Sequence, residues 1–262
     1  MTVPTSYRPA ELFSLAGRVA LVTGASRGMG REIARAYAAA GAVVLVNSRD
    51  AARVIDVCGL IADAGGAAHP YPFDVADEAA RIRALDEIAT RWDRLDVLVN
   101  NVGMRFRATV DRIDLETFRR MLETNLTAAY ALARLALPLM RRRGFGRIVN
   151  VSSIAATISS RSDVAYSSAK GGMDAMTRSI AAEFGAEGIT CNALAPGFFA
   201  TETNAPAVAD PYFEQFVDLR IPAKRWARPD EIVTAALFLA SPASTFVNGH
   251  VLTVDGGMTA SF

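Results

Sequence analysis

From Arg18 onward the chain alternates short apolar, β-branched runs with longer stretches in which apolar residues return every three or four positions. The runs RVALVT (18–23), AVVLVN (42–47), AAHPYPF (67–73), DVLVN (96–100), GRIVNVS (146–152), GITCNALA (188–195) and HVLTVDG (250–256) read as strands. Between them REIARAYAAAG, ARIRALDEIATRW and the run from Leu115 to Arg143 read as helices. Strands that are apolar nearly throughout, each followed by a helix, predict a parallel sheet buried on both faces. Right-handed crossovers then give an α/β, doubly wound, Rossmann-type three-layer sandwich. Pro138 falls inside the longest helical run, so a kink or break is expected there. With no repeat or shift in composition, residues 15–262 are expected to form one domain, preceded by an arm of residues 1–14 carrying Pro4 and Pro9.

Composition narrows the function. A chain of 262 residues, 51% hydrophobic and 21% charged, can bury a substantial core. A formal charge of +1 leaves no long-range field for a nucleic acid, so charge recognition is expected to be local to a pocket. Cys58 and Cys191 stand far apart, and neither His69 nor His250 has metal-ligand spacing, so no metal is expected and the thiols read as buried small hydrophobes. The start of the chain lacks a signal-peptide apolar run, and no window reaches the roughly 18 apolar residues that span a bilayer. A cytoplasmic protein without a membrane partner is expected.

The first strand runs directly into Thr23-Gly24-Ala25-Ser26-Arg27-Gly28-Met29-Gly30 and then a helix. Glycines here permit a tight turn and let backbone N–H groups approach a pyrophosphate at a helix N-terminus. The spacing is G-x-x-x-G-x-G, not the general G-x-G-x-x-G, and the same residues also suit an ordinary strand-to-helix turn. At the end of the second strand the chain reads Asn47-Ser48-Arg49-Asp50. Ser48 replaces the usual ribose-binding carboxylate, and Arg49 and Arg27 supply two cations, which favours NADP(H) over NAD(H). The alternative is that Asp50 binds the ribose while both arginines are solvated.

Tyr166 and Lys170 are four positions apart, on one face of a predicted helix, shortly after Ser152-Ser153 at the end of the fifth strand. An ammonium there would lower a phenol pKa that is ordinarily about 10. Combined with a nucleotide loop, this places a proton-transfer group where a nicotinamide ring would lie.

These residues resemble the short-chain dehydrogenase/reductases. The glycine loop, Asn100-Asn101-Val102-Gly103, Asn125, Ser153, Tyr166, Lys170 and Pro196-Gly197 fall in that family's order, over residues 12–262. The resemblance implies that Tyr166 is the general acid/base, that Ser153 holds the substrate oxygen, that Lys170 binds the nicotinamide ribose and tunes the tyrosine, and that Asn125 positions a proton-relay water. Ser153 is preferred to Ser152 because its distance from Tyr166 matches the family's. The resemblance also implies cofactor contacts along the glycine loop from Gly24 through Ser26, Arg27, Gly28 and Met29 to Gly30. It places Asp74 and Val75 by the adenine, Asn101 by the adenosine ribose beside Gly103, and Phe199 and Thr201, after Pro196 and Gly197, against the carboxamide. Val102 departs from the family's usual alanine. A homotetramer is implied, with the Tyr166 helix and the last strand as interface candidates.

Arg105, Arg107 and Arg161 lie beside the expected site mouth and suit a carboxylate on a small alcohol or ketone substrate, although a solvated loop is the plainer reading. Residues 195–202 and 244–262 are similar to the gluconate 5-dehydrogenase group, and Arg107 fits that group's substrate loop. Reversible reduction of a keto sugar acid is therefore implied. The rivals are a 3-oxoacyl-[acyl-carrier-protein] reductase and a catalytically silent dinucleotide-binding scaffold.

Overall fold

The structure, a computed structural model, describes residues 8–261. Of the arm expected over residues 1–14, residues 1–7 lie outside the described residues; the rest includes one short helix, α1 (Pro9–Leu12). In chain order there follow β1 (Val19–Val22), α2 (Gly28–Ala39), β2 (Val43–Val46), α3 (Ala51–Asp63), β3 (Ala67–Pro70), α4 (Glu78–Trp92) and β4 (Val97–Asn100). Then come α5 (Leu115–Leu122), α6 (Ala128–Arg143), β5 (Gly146–Val151), α7 (Val164–Phe184), β6 (Ile189–Pro196), α8 (Ala205–Val208), α9 (Pro211–Arg220), α10 (Val233–Ala240) and β7 (Val251–Val254).

All seven expected strands are present, in one parallel sheet ordered β3-β2-β1-β4-β5-β6-β7. The two-residue period of a strand explains why apolar runs suit it. In β1, Ala20 and Val22 pack on one face with Ile33 and Tyr37 of α2 and Leu239 of α10, while Val19 and Leu21 pack on the other with Ile88 of α4 and Leu132 of α6. The layers are thus α2, α3 and α10 on one side and α4, α6 and α7 on the other. The fully buried Tyr37 hydroxyl donates to the Ala236 carbonyl at 2.9 Å, fastening α2 to α10. Cys191 lies in the core and Cys58 at its margin; burial pushes their thiols up to about 12 and about 11. Among the described residues no helix is long and apolar enough to cross a membrane.

Of the kink or break expected at Pro138, the break does not occur: α6 runs through it to a left-handed Gly144 cap. Pro138 removes one helical N–H, while its neighbours Ala136, Leu139 and Met140 are buried against the sheet and hold the rod in place. The irregularity lies earlier, in a π-helical segment, Glu123–Thr127, between α5 and α6. An i→i+5 turn inserts an extra residue, and here it carries the buried Asn125.

Strand order reverses between β1 and β4, which opens a crevice at the C-terminal ends of these strands. The glycine loop leaves β1 on one side of it. The segment bearing Arg105 and Arg107 leaves β4 on the other.

Candidate active site

The glycine loop is shaped by close approach. Gly24 and Gly28 have φ of +62° and +54°, and a Cβ on Gly30 would stand 2.4 Å from the Gly24 carbonyl oxygen. The Asn101 side-chain amide donates to the carbonyls of Thr23 and Gly24 at 3.0 and 3.1 Å, and the Thr23 hydroxyl donates to Val99 O while accepting from Asn101 N–H. The result is a cradle at the start of α2, whose first N–H groups have no side-chain cap from Arg27. Thr201 lies against this loop, its Cγ2 being 3.3 Å from where a Gly28 Cβ would sit.

Across the crevice, Ser153 ends the stretch after β5 and caps a short turn by accepting from Ala155 N–H at 3.1 Å. The neighbouring Ser152 hydroxyl turns instead toward the Lys170 carbonyl at 3.4 Å. One helical turn separates Tyr166 from Lys170 on α7, with the Lys170 nitrogen 5.8 Å from the Tyr166 ring centre. That buried ammonium donates to the Val151 carbonyl at 2.6 Å. Asn125 grips the segment after β4, its amide donating to Met104 O at 2.9 Å and its carbonyl accepting from Met104 N–H at 2.8 Å. A Cβ on Gly103 would lie 3.2 Å from Asn125 Oδ1 and 3.8 Å from Lys170 Nζ, so all three groups converge.

The family model described as enoyl-(acyl carrier protein) reductase matches residues 24–259. The gluconate 5-dehydrogenase of Gluconobacter oxydans (strain 621H) is 38% identical over 96% of this chain and 98% of its own. The cis-4-hydroxycyclohexanecarboxylate dehydrogenase of Sinomonas cyclohexanicum is 40% identical over 94% and 98%. A crystal structure of a gluconate 5-dehydrogenase from Burkholderia cenocepacia J2315, in complex with NADP and tartrate, superposes with a TM-score of 0.93 at 37% identity, covering 97% of this chain and 100% of that one. The chain belongs to the short-chain dehydrogenase/reductase family. It is an oxidoreductase acting on CH–OH groups.

The electrostatics of this short-chain dehydrogenase/reductase differ from what the Tyr–Lys spacing suggests. Burial brings the Lys170 ammonium down to about 8, against the opposing pull of Asp174. Burial also raises the Tyr166 phenol above its usual range; the Arg105 charge and a hydrogen bond with Ser153 pull it down, and Asp163 pushes it up. Burial therefore outweighs the groups that favour the tyrosinate, and Arg105, where Lys170 was expected, is the cation that lowers the phenol.

The remaining candidates fall into place unevenly. Asp50 caps α3, accepting from Arg53 N–H at 3.2 Å and pairing with the Arg53 guanidinium, so the rival ribose carboxylate is already engaged. Ser48 forms a local turn with Asp50, and the exposed Arg49 reaches Asp74 at 3.5 Å. Val75 is buried in the floor between β1 and β4, beside Val102 and Asn100. The Phe199 ring is buried in the core with Ala25 and Leu239, so the contact expected of this residue would fall to its backbone.

Of the three arginines, Arg161 opens onto a hollow of about 400 Å³ lined by Ser159, Ser160, Ser162, Ser167 and Ser168, whose walls do not include Ser153, Tyr166 or Lys170. Arg105 forms a two-pronged ion pair with the buried Asp163. Arg107 stands 3.8 Å from the same carboxylate and 5.7 Å from the Phe213 ring of α9. Sequence reasoning missed Asp163, and it missed the aromatic wall of Phe198, Phe213, Phe216 and Trp226. The residues carry no motif, and only the return of α9 over the site joins them to Arg107.

Proposed function

We propose that the chain interconverts a secondary alcohol and a ketone with NADP(H), on a small substrate that carries a carboxylate, foremost a sugar acid of the gluconate type. The observation that carries this reading is the convergence of Ser153, Tyr166, Lys170 and Asn125 beside the glycine cradle. The cradle fits a dinucleotide: substituents are excluded at Gly30, and the first N–H groups of α2 have no side-chain cap from Arg27. Gly24, Ser26, Gly28, Met29 and Gly30 would hold the pyrophosphate, and Asp74, Val75, Asn101 and Gly103 the adenosine side. Pro196, Gly197, Thr201 and the Phe199 backbone would border the nicotinamide. Arg27, Ser48 and Arg49 favour NADP(H), since Asp50 is engaged in capping. A nicotinamide dinucleotide held there would supply or accept the hydride.

The Ser153 hydroxyl orients the substrate oxygen toward Tyr166. In reduction the Tyr166 hydroxyl gives its proton to that oxygen, and in oxidation the tyrosinate takes it back. Lys170 holds the ribose and replenishes the proton through Asn125 and water. Such proton donation contributes roughly 10²- to 10⁴-fold. Arg107, half-exposed and only 3.8 Å from a shared carboxylate, is the arginine best placed for the substrate acid. The tartrate in the Burkholderia cenocepacia relative, itself a hydroxy acid, accords with this.

A second reading rests on the aromatic wall: Phe198 and Trp226, 4.9 Å apart, suit an apolar ring bearing a carboxylate, the substrate class in the name of the Sinomonas relative. A screen of keto sugar acids, oxocyclohexane carboxylates and 3-oxoacyl thioesters at fixed NADPH decides. Preference for the sugar acid supports the first reading, and preference for a thioester overturns both. A homotetramer in the cytoplasm is the assembly we propose, with α7 and β7 as interfaces; the fully exposed Phe246 ring suits a covered surface, and light scattering tests it.

A further inference from the structure

Arg105 was expected to meet substrate, but its fork is occupied. Its Nε donates to Asp163 Oδ1 at 2.8 Å, a second nitrogen donates to Oδ2, and the Ser160 hydroxyl donates to the same carboxylate. The Asp163 side chain is wholly buried, and the backbones run alongside, Ala108 N–H donating to Ser162 O at 3.0 Å. The segment after β4 is thereby clamped to the residue preceding α7. Clamped in this way, the guanidinium carbon of Arg105 lies 4.9 Å from the centre of the Tyr166 ring, nearer than the 5.8 Å of the Lys170 nitrogen.

Resting on the reading of Tyr166 as the proton-transfer residue, we infer that Arg105, clamped by Asp163, is a positioning residue that holds a permanent positive charge on Tyr166, alongside Lys170. The physical distinction between the two cations is that a guanidinium keeps its charge throughout the working range, whereas an ammonium in a buried site does not. The charged groups that act on Tyr166 are Arg105, from the segment after β4, and Asp163, at the start of α7; Lys170 lies 5.8 Å from the ring with Asp174 acting on it, and Arg107 stands 3.8 Å from Asp163. Arg105 and Asp163 oppose each other there, and the cation, stacked over the ring, has the larger effect.

The test is the ionisation of Tyr166, read without turnover as the tyrosinate absorbance difference between each protein and its Tyr166→Phe counterpart. Loss of the cation disfavours the tyrosinate, so Arg105→Met should move phenolate formation about one pH unit to the alkaline side. Arg105→Lys keeps a cation and should move it distinctly less. The acid limb of kcat/KM for alcohol oxidation, where the tyrosinate acts as base, should shift in the same direction, and it carries the same information if the fold fails at high pH. The proposal is overturned if the Met and Lys variants shift alike, or if Arg105→Met leaves both profiles in place while KM rises, which would make Arg105 a substrate contact. Retention of turnover by Tyr166→Phe is a separate outcome, and it would remove the underlying reading of Tyr166.

Discussion

Two segments leave the C-terminal ends of neighbouring central strands and are built on opposite principles. The glycine loop after β1 is held by backbone: left-handed glycines, a Gly30 with no room for a Cβ, and an Asn101 amide bridging two carbonyls. The segment after β4 is held by side chains: Asn125 around Met104, Asp163 against Arg105, and Arg107 over Phe213. A backbone cradle suits a ligand part that never varies. A rim of ion pairs and rings can be rebuilt by single substitutions without disturbing the sheet, which fits relatives of one fold that act on different alcohols.

The hardest blow should fall where the two segments meet. Tyr166→Phe is expected to lower kcat by about 10²-fold or more while the Kd for NADPH changes little; steady-state kinetics beside a fluorescence titration check both. On the backbone side, Gly30→Ala forces a contact that real Cβ atoms do not make, so NADPH binding should be lost and stability should fall by roughly 1–3 kcal/mol, seen in calorimetry and chemical denaturation. If Gly30→Ala instead binds NADPH normally, the contrast between a rigid and a pliable segment fails. On the side-chain side, Arg107→Ala should raise KM for an acid substrate about tenfold with kcat nearly kept, equivalent to one charge-assisted hydrogen bond of about 1.5 kcal/mol. Arg49→Ala should raise KM for NADPH by a similar factor, again about tenfold, and leave NADH almost untouched.

A last effect, read in stability and not in turnover, concerns Lys170. Its folded pKa, about 8, lies below the unfolded value, so the unfolded chain binds more protons between the two and stability gained from this site rises with pH across that window. The melting temperature of Lys170→Met relative to the wild type should accordingly be most favourable at pH 7 and decline toward pH 10. A flat difference would mean that the ammonium is solvated.

Much of this was legible before any coordinates. Seven apolar runs gave the strands, and Tyr166, Lys170 and Ser153 declared themselves through spacing and family order. No break follows at Pro138 because a proline inside a helix packed on a sheet loses only local hydrogen bonding, whereas the π turn at Asn125 leaves no residue-type mark. At Phe199 the position after Pro196-Gly197 did not say that the ring would turn into the core.

What the sequence determined is the part enforced locally: apolar alternation makes the sheet, and glycine is the residue that admits the left-handed, close-packed loop beneath α2. What the tertiary structure decided is which charges meet. Arg105 was drawn to the buried Asp163 carboxylate and to the Tyr166 ring. Such pairings join residues dozens of positions apart across desolvated space, where burial and geometry, rather than residue type, set the strength and direction of each interaction.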